Sequence, residues 1–265
     1  MSQIEVGVAV SERMNLRTLD LRKLNSATKY PSILTYHALG EKGRLREDLQ
    51  VSFAGTEVIV TEKLDGTNTR IVVLDDGSYV IGSREELLHA RGDIVHNPAM
   101  GIVAAVRAIA DRVADALAGR GHAVTFYGEV YGGKTTGSKA YGTSVGFRLF
   151  DVVKTSEREL AAVLEKSPED IAHLRDGGGQ AFVSESELAE HAKLAGIEIT
   201  PRITSSAPPA SVRDVHAWLK SALPSDTLAP LDGDRKGRPE GVVLRTADRR
   251  AIAKIRFDDY ERTLR

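Results

Sequence analysis

The chain has 265 residues, 42% of them hydrophobic and 28% charged, and its 36 lysines and arginines nearly balance 37 aspartates and glutamates. This composition indicates a folded globular protein, and its net charge of −1 means that a polyanion must be bound by a local basic surface. The absence of cysteine excludes disulfides and thiolate metal sites, and no stretch approaches the ~18 consecutive apolar residues of a membrane span.

The N-terminal part of the chain predicts two elements before the first proline. Residues 4–10 alternate weakly, as an edge strand would, and residues 11–25 form a short amphipathic segment. The Tyr30-Pro31 step ends that segment, because proline disfavours helix at the residue before it. We expect a cytoplasmic protein without a membrane partner, folded as a single domain over 1–265, with residues 1–25 as an optional N-terminal extension.

The most informative stretch is the run from Glu62 to Asn68, which lies between two apolar segments. Val58–Val60 and Ile71–Leu74 predict two strands, and the Asp-Gly step between them predicts a hairpin turn. Side chains alternate along a strand, so Lys63 shares a face with Thr61. A lysine fixed on a strand beside a glycine turn, where a phosphate can approach the backbone, is a candidate nucleophile. Taken alone, the stretch fits a solvated surface hairpin equally well.

Candidate site residues recur at the ends of the next predicted strands. Tyr79–Ile81 is a strand that leads to Arg84, and Asn97-Pro98 predicts the start of a helix whose apolar face runs to Leu117. The strand Ala123–Val130 carries Glu129, a carboxylate that is costly to bury without a partner. The next segments add two lysines in a glycine-rich loop and an aromatic-acid pair in a strand, namely Lys134, Lys139 and Phe150-Asp151 in Phe147–Val153.

Residues 154–235 carry little chemical information. They predict helices at 157–166, 184–194 and 211–223 and a strand at 197–203. Segments 240–245 and 251–257 then predict a C-terminal hairpin. Lys254 and Arg256 are two residues apart and therefore share a face of the second strand. Two cations beside the Glu240 carboxylate suit a phosphate.

These pieces resemble, in type and order, the covalent nucleotidyltransferases, the superfamily of DNA ligases, RNA ligases and mRNA capping enzymes. The family pattern begins with Lys-x-Asp-Gly and continues with an arginine, a Gly-Glu pair, an aromatic-acid pair, a Glu-Gly pair and a Lys-x-Lys. In this chain the matching positions are Lys63-Leu64-Asp65-Gly66, Arg84, Gly128-Glu129, Phe150-Asp151, Glu240-Gly241 and Lys254-Ile255-Arg256. A lone Lys-x-Asp-Gly is a weak signal, whereas six elements in order are a specific one.

Within the superfamily the chain most resembles ATP-dependent RNA ligases of the phage nick-sealing class. Asn68 stands where DNA ligases usually carry arginine, and the sequence ends soon after the last motif, where DNA ligases and capping enzymes continue into an OB-fold. The chain departs from the pattern at Arg256, which replaces a lysine and is a planar fork rather than a compact ammonium. The resemblance implies an α+β nucleotidyltransferase (ATP-grasp-like ligase) fold, with antiparallel sheets around a nucleotide cleft, outer helices and no C-terminal OB-fold.

The resemblance also implies a reaction and a set of roles. Lys63 would attack the α-phosphate of ATP to form a lysyl-adenylate, with Mg²⁺ or Mn²⁺ as cofactor. Lys254, Arg256 and the metal would favour the neutral amine of Lys63 and stabilise charge on the phosphate. The remaining roles are adenine stacking by Phe150, base-edge contacts from the backbone of Glu62 and Leu64, ribose binding by Glu129, a ribose or phosphate oxygen contact by Arg84, water-mediated metal binding by Glu240, later ligation steps for Asn68, and RNA backbone contacts by Lys134 and Lys139.

The expected substrate is RNA with 3′-hydroxyl and 5′-phosphate ends, in RNA repair, with a separate RNA-binding or repair partner left open. A DNA ligase or a GTP-dependent capping enzyme would share the first step; Asn68 and the expected absence of an OB-fold argue against both. A non-catalytic module that binds nucleotide or RNA is a further alternative. The complete set of charged positions from Lys63 to Arg256 argues against that alternative.

Overall fold

The computed structural model describes residues 14–90, 101–135, 137–203, 207–233 and 237–265. Its helices are α1 (Leu21–Ala27), α2 (Ile102–Leu117), α3 (Ser138–Tyr141), α4 (Glu157–Leu164), α5 (Pro168–Asp176), α6 (Glu185–Ala195), α7 (Val212–Ala222) and α8 (Phe257–Leu264). Its strands are β1 (His37–Leu39), β2 (Leu45–Leu49), β3 (Ile59–Lys63), β4 (Thr67–Val73), β5 (Tyr79–Ser83), β6 (Leu87–Ala90), β7 (His122–Gly132), β8 (Val145–Ser156), β9 (Arg202–Ile203), β10 (Gly241–Arg245) and β11 (Ile252–Arg256). The predicted α+β class with antiparallel sheets is confirmed.

Two antiparallel sheets form the body of the protein. The five-stranded sheet has the order β6-β5-β4-β7-β8, and the four-stranded sheet has the order β11-β10-β3-β9. A separate pair, β1 and β2, lies beside them. The predicted C-terminal hairpin is confirmed, because β10 and β11 pair in register from Gly241 opposite Arg256 to Arg245 opposite Ile252.

The predicted hairpin around Lys63 is wrong. β3 pairs with β10 and β9, whereas β4 pairs with β5 and β7, so the two strands belong to different sheets. The link between them, residues 64–66, carries the chain from one sheet to the other. A Cβ on Gly66 would lie 2.3 Å from the carbonyl oxygen of Val130, so the glycine lets this link pack against β7. An Asp-Gly step marks a sharp turn but does not specify which strand the next segment pairs with.

Helices cover both faces of the five-stranded sheet. Along β4, Ile71 and Val73 pack with α2 and α6 in one core cluster, while Val72 packs with α1 and α4 in another. Burial on both faces explains why residues 71–73 of β4 form a continuous apolar run rather than an alternating one. The four-stranded sheet packs its apolar face on α7 and α8, with Val242 and Leu244 fully buried.

The middle of the chain is partly as predicted. The predicted helices correspond to α4, α6 and α7, whereas α5 is absent from the prediction although Ser167 at its N-cap and Pro168 at its first position are typical start signals. The predicted strand 197–203 is reduced to β9. Ile199 bridges Leu149 of the five-stranded sheet before the chain reaches β3, so this stretch crosses between the sheets. The predicted edge strand at 4–10 and helix start at Asn97-Pro98 lie outside the described residues.

Candidate active site

A cleft of about 360 Å³ opens where the chain crosses from β3 to β4. Its wall combines residues of both sheets and of the segment before β1. The sequence-predicted residues that line it are Glu62, Lys63, Leu64, Asn68, Arg84, Glu129, Phe150, Glu240 and Lys254. These residues are up to 192 positions apart in the chain, from Glu62 to Lys254, and the fold brings them to one cavity.

Lys63 and Glu240 form an ion pair in this cleft. Lys63 ends β3, and the strand register pairs it with Gly241, so Glu240 lies just beyond the end of β10 beside it. The Lys63 Nζ donates a short hydrogen bond to Glu240 Oε2, and the two side chains are 26% and 21% exposed. A Cβ on Gly241 would lie 2.0 Å from the carbonyl oxygen of Ile255, so only glycine permits this close approach of β11. The Glu-Gly pair thus places a carboxylate against the candidate nucleophile.

Glu129 is a largely buried carboxyl close to that ion pair. It lies on β7, directly opposite Asn68 of β4. Burial raises its pKa to about 8, the negative charges of Glu240 and Asp65 act in the same direction, and Lys63 opposes them. The backbone N–H of Gly66 donates to it and also opposes the rise. A carboxyl with this pKa is mostly protonated near neutral pH and can donate a hydrogen bond as well as accept one.

Two polar groups in the cleft lack partners within the described part of the chain. The Asn68 Oδ1 atom is buried and accepts no hydrogen bond. The Lys254 ammonium forms neither a hydrogen bond nor an ion pair in the described ranges. Burial lowers the pKa of Lys254, and the positive charges of Arg256, Lys63 and Arg84 lower it further. A buried amide oxygen normally has a partner, and a half-buried ammonium beside it favours an anion, so these two groups mark a place where a polar ligand would be stabilised.

The other end of the cleft is aromatic. The ring of Phe150 lines it, and the ring of Tyr30 contacts Phe150 edge-on with 5.0 Å between centroids. Tyr30 is a cleft residue that the sequence analysis did not identify, because a lone tyrosine before a proline gives no signal of its own. Pro31 and Ile33 of the same segment also line the cleft.

A buried ionic cluster lies behind Phe150. Asp151 is fully buried, and its carboxylate accepts hydrogen bonds from Arg249 Nε at 2.6 Å and from the Tyr30 hydroxyl at 2.9 Å. Burial raises the pKa of Asp151, and the positive charges of Arg249 and Arg245 oppose the rise. Arg245 on β10 reaches the Phe150 carbonyl and Asp151 on β8, so the cluster joins the two sheets. Glu185 accepts hydrogen bonds from Arg245 and from Arg202 of β9.

Arg202 and Arg245 both line the cleft but were not identified from the sequence. Arg245 does have a signal in the sequence, because it lies on the strand that follows the Glu-Gly pair, four residues beyond Gly241. Arg202 follows Pro201 and has no comparable signal. Each is held by Glu185, which lies more than 15 residues from Arg202 and 60 residues from Arg245 along the chain.

Glu62 and Leu64 contribute to the cleft differently from their neighbour Lys63. The Glu62 side chain is buried and accepts hydrogen bonds from the Thr227 hydroxyl and the Leu228 backbone N–H. Burial raises the pKa of this carboxyl, and both hydrogen bonds oppose the rise. Leu64 packs in a small apolar cluster with Tyr141. Both side chains therefore fix the chain where it leaves β3, on either side of Lys63.

Arg84 and Arg256 occupy the periphery. Arg84 lies at the rim with a side chain that is 58% exposed, and it donates to the Ser32 hydroxyl at 3.1 Å. Arg256 is not among the residues that line the cleft; its guanidinium makes a two-pronged contact with Asp259 at 2.8 and 3.0 Å. Arginine suits this contact because its fork matches a carboxylate.

The two lysines predicted to contact RNA are both exposed, and Lys139 lies beside the cleft. Lys134 lies in the turn after β7, and Lys139 lies in α3. Lys139 lines a second cavity of about 340 Å³, which also includes Asp65 and Glu240 and therefore adjoins the cleft. This placement gives a continuous path from Lys139 to the ion pair of Lys63.

The described ranges contain no group of three or more histidine, aspartate or glutamate side chains placed to hold a metal ion. Over the same ranges, none of the helices is long and apolar enough to cross a bilayer.

Comparison with solved structures defines the class of fold. The chain aligns with Naegleria gruberi RNA ligase with PPi at a TM-score of 0.58 and 14% identity, over 89% of this chain and 58% of that chain. A mutant of that ligase with ATP and Mn aligns at a TM-score of 0.56 and 15% identity, over 89% of this chain and 62% of that one. A mutant with AMP and Mn aligns at 0.55 and 14%, over 87% and 62%. The fold is thus the nucleotidyltransferase-type fold of RNA ligases, and the chain spans about three fifths of the length of these structures.

The sequence itself places the chain more closely. The RNA ligase family model matches residues 56–256, which is most of the chain and includes every predicted motif. This protein belongs to the RNA ligase family. No curated protein matches the sequence.

Proposed function

We propose that this protein is an ATP-dependent RNA ligase that forms a lysyl-AMP intermediate at Lys63 and joins RNA 3′-hydroxyl and 5′-phosphate ends. The observation that carries the proposal is the ion pair of Lys63 with Glu240 inside a cleft that also contains the unpartnered ammonium of Lys254. Family membership and the shared fold supply the reaction class.

In the first step the free amine of Lys63 attacks the α-phosphorus of ATP. A nitrogen–phosphorus bond forms as the bond to the bridging oxygen breaks, pyrophosphate leaves, and Nζ gives up a proton. Lys254 is the cation best placed to stabilise the growing negative charge, since it lines the cleft and its ammonium forms no ion pair in the described ranges, although the charge of Asp259 acts on it. Arg84 at the rim would contact a ribose or phosphate oxygen, and Arg256 would act on the cleft only from behind Asp259.

In the later steps a 5′-phosphate oxygen of RNA attacks the adenylate and releases Lys63. The 3′-hydroxyl then attacks that 5′-phosphorus and expels AMP. Asn68 has an unpartnered oxygen in the cleft and is suited to orient the reacting ends. Lys134, exposed in the turn after β7, and Lys139, exposed beside the cleft, are our candidates for RNA backbone contacts.

The nucleoside would lie at the aromatic end of the cleft. Phe150 would stack on adenine, with backbone groups of Glu62 and Leu64 near the base edge. Glu129 would hold a ribose hydroxyl, and its raised pKa lets it act as a donor or an acceptor. The structural neighbours include complexes with ATP and Mn and with AMP and Mn, which supports ATP and a divalent ion as cofactors here.

The residues of the cleft fit a divalent cation. The Glu240 carboxylate and the unpartnered Asn68 oxygen are the hard donors that Mg²⁺ and Mn²⁺ prefer, and Glu240 would hold the ion through water. When bound, the metal would supply charge neutralisation at the α-phosphate. The Lys63 amine must break its hydrogen bond to Glu240 before it can attack the α-phosphorus.

Intact-mass measurement after incubation with ATP and Mg²⁺ tests the first step. We expect one AMP increment on the wild-type chain and none on Lys63→Ala. The matched control is Lys154→Ala, an exposed strand lysine outside the cleft, which should acquire the increment normally. An unmodified wild-type mass, or an equal increment on Lys63→Ala, would overturn the proposal.

A substrate panel separates this proposal from its relatives. The panel offers nicked RNA, single-stranded RNA and nicked DNA, and it compares ATP with GTP. We expect the protein to prefer ATP and RNA ends. Sealing of DNA alone would indicate a DNA ligase, adduct formation with GTP alone a capping-type enzyme, and ATP binding without an adduct a non-catalytic module. Cytoplasmic location, a single domain over 1–265, a role in RNA repair and a separate RNA-binding partner remain predictions.

A further inference from the structure

The segment from Lys29 to Tyr36, here called the N-terminal strap, runs along the cleft before the family match begins at residue 56. It contributes Tyr30, Pro31 and Ile33 to the cleft wall. Its contacts reach both ends of the cleft, so it is built into the site rather than laid over its mouth.

One end of the strap is fixed behind Phe150. The Tyr30 hydroxyl donates to Asp151 at 2.9 Å and accepts from Arg249 Nη2 at 2.8 Å. The Tyr30 ring lies edge-on to Phe150 at 5.0 Å and to Phe182 at 5.7 Å, and it is tilted against Tyr127 at 5.1 Å. A ring held by two hydrogen bonds and three aromatic neighbours has little freedom, so it limits where the Phe150 ring can lie.

The other end of the strap is fixed at Lys254. The Lys254 backbone N–H donates to the Leu34 carbonyl at 2.9 Å, and its carbonyl accepts from the Tyr36 N–H at 3.0 Å. Thr35 thus forms a parallel bridge with Lys254 at the edge of the four-stranded sheet. The strap therefore connects the aromatic end of the cleft to the strand that presents the free ammonium.

Between these ends the strap meets the rim. Ser32 accepts a hydrogen bond from Arg84, and Lys29 forms an ion pair with Glu85 at 2.8 Å. Both contacts are exposed and contribute little to stability by themselves. They align the strap with the strand end that carries Arg84.

We propose that Tyr30 is a positioning residue for base binding: held by Asp151 and Arg249, its ring sets the orientation of Phe150. This inference rests on the proposed nucleotide site and adds a residue from outside the family match. Because Tyr30 touches the aromatic end and not Lys63 or Glu240, its loss should weaken binding of the nucleoside and leave binding of a bare polyphosphate intact.

The test uses full-length protein carrying Lys63→Ala, so that no covalent adduct competes with equilibrium binding. Calorimetric titrations with AMP and with pyrophosphate, each with Mg²⁺, compare Tyr30→Leu and Tyr30→Phe with this parent. We expect Tyr30→Leu to weaken AMP about tenfold and pyrophosphate less than about twofold. Tyr30→Phe keeps the ring and should restore most of the AMP affinity.

Tyr79→Leu is the matched control for loss of a buried tyrosine. Tyr79 is fully buried, donates to Asp111 at 2.8 Å and does not line the cleft, so its replacement should lower thermal stability without changing either affinity. Unchanged AMP affinity in Tyr30→Leu, or equal losses for AMP and pyrophosphate, would overturn the positioning role. If the parent binds neither probe, the proposed nucleotide site fails as well, and the inference falls with it.

Discussion

The two ends of the cleft differ in how their charges are satisfied. At the Lys63 end, Lys254 and the Asn68 oxygen have no partner among the described residues, and Lys63 has the single contact with Glu240. At the Phe150 end, buried Asp151 is surrounded by Arg249, Arg245 and Tyr30. The charges at the Lys63 end are available to a ligand, whereas those at the Phe150 end are paired with one another within the protein. Charged residues of similar type are therefore left open to the proposed ligand at one end and hold the fold together at the other.

The largest expected effect on stability comes from the Phe150 end. Asp151→Asn removes the carboxylate charge between Arg249 and Arg245, whose side chains are 7% and 3% exposed. A buried charge left without its partner costs about 3–5 kcal/mol. Urea unfolding should show a loss of this size. Asp48→Asn, which changes an exposed carboxylate paired with Arg46, is the control and should leave the free energy of unfolding unchanged. Equal stability of the two variants would remove the contrast between the ends.

Lys254→Met tests the Lys63 end. It should lower the rate of AMP-adduct formation about 100-fold, because one preorganised donor at the developing charge is lost. Stability should be unchanged or slightly higher, since burial lowers the pKa of Lys254 and its charge is unpaired in the described structure. Rapid-quench adduct assays and thermal unfolding measure the two quantities. A large loss of stability with a normal adduct rate would make Lys254 a structural cation instead.

Glu129→Gln tests the Lys63 end of the cleft through the pH dependence of folding stability. The folded protein holds a proton on Glu129 up to about pH 8, whereas the unfolded chain releases it near the ordinary pKa of 4.5. The contribution of Glu129 to stability is therefore full at low pH and falls as pH rises through that window. Glu129→Gln should gain stability over the wild type across it, by at most about 1.4 kcal/mol per pH unit. Parallel urea titrations at about pH 5 and about pH 8 measure the gain, with exposed Glu190→Gln as control. A constant difference between the two proteins would contradict the raised pKa.

Arg256→Lys should have the smallest effect. A lysine cannot reproduce the two-pronged contact with Asp259, but the Arg256 side chain is 35% exposed and solvent reduces the loss. We expect a stability loss below about 1 kcal/mol and an adduct rate within about threefold of the wild type. A rate loss as large as that of Lys254→Met would place Arg256 in the chemistry itself.

More of the residues at the Lys63 end of the cleft than at the Phe150 end were predicted from the sequence, for a physical reason. Lys63, Glu240 and Lys254 lie at strand ends or on a strand face, where alternation and turn residues predict their direction. Tyr30 and Arg249 lie 121 and 98 residues from Asp151 along the chain, and only the fold brings them into contact with it. Each alone is an unremarkable surface residue in the sequence.

The wrong hairpin has the same origin. The Asp65-Gly66 step specifies a local reversal, but the partners of β3 and β4 are set by distant strands, β10 and β7. The shortened strand at 197–203 likewise reflects a crossing between sheets. The strands on either side of the Asp65-Gly66 step were therefore predictable from the sequence, whereas their partners in the two sheets were not.

The Arg245 contact with Asp151 and the Phe150 carbonyl spans the gap between the four-stranded and five-stranded sheets. The proposed nucleophile, Lys63, is carried by one sheet and the Phe150 ring by the other, so the width of the gap fixes the separation between the two halves of any bound molecule. Because the Arg245 guanidinium has a fixed length, it keeps the distance between the Phe150 ring and the Lys63 amine constant. Side chains at the surface can vary without changing that distance.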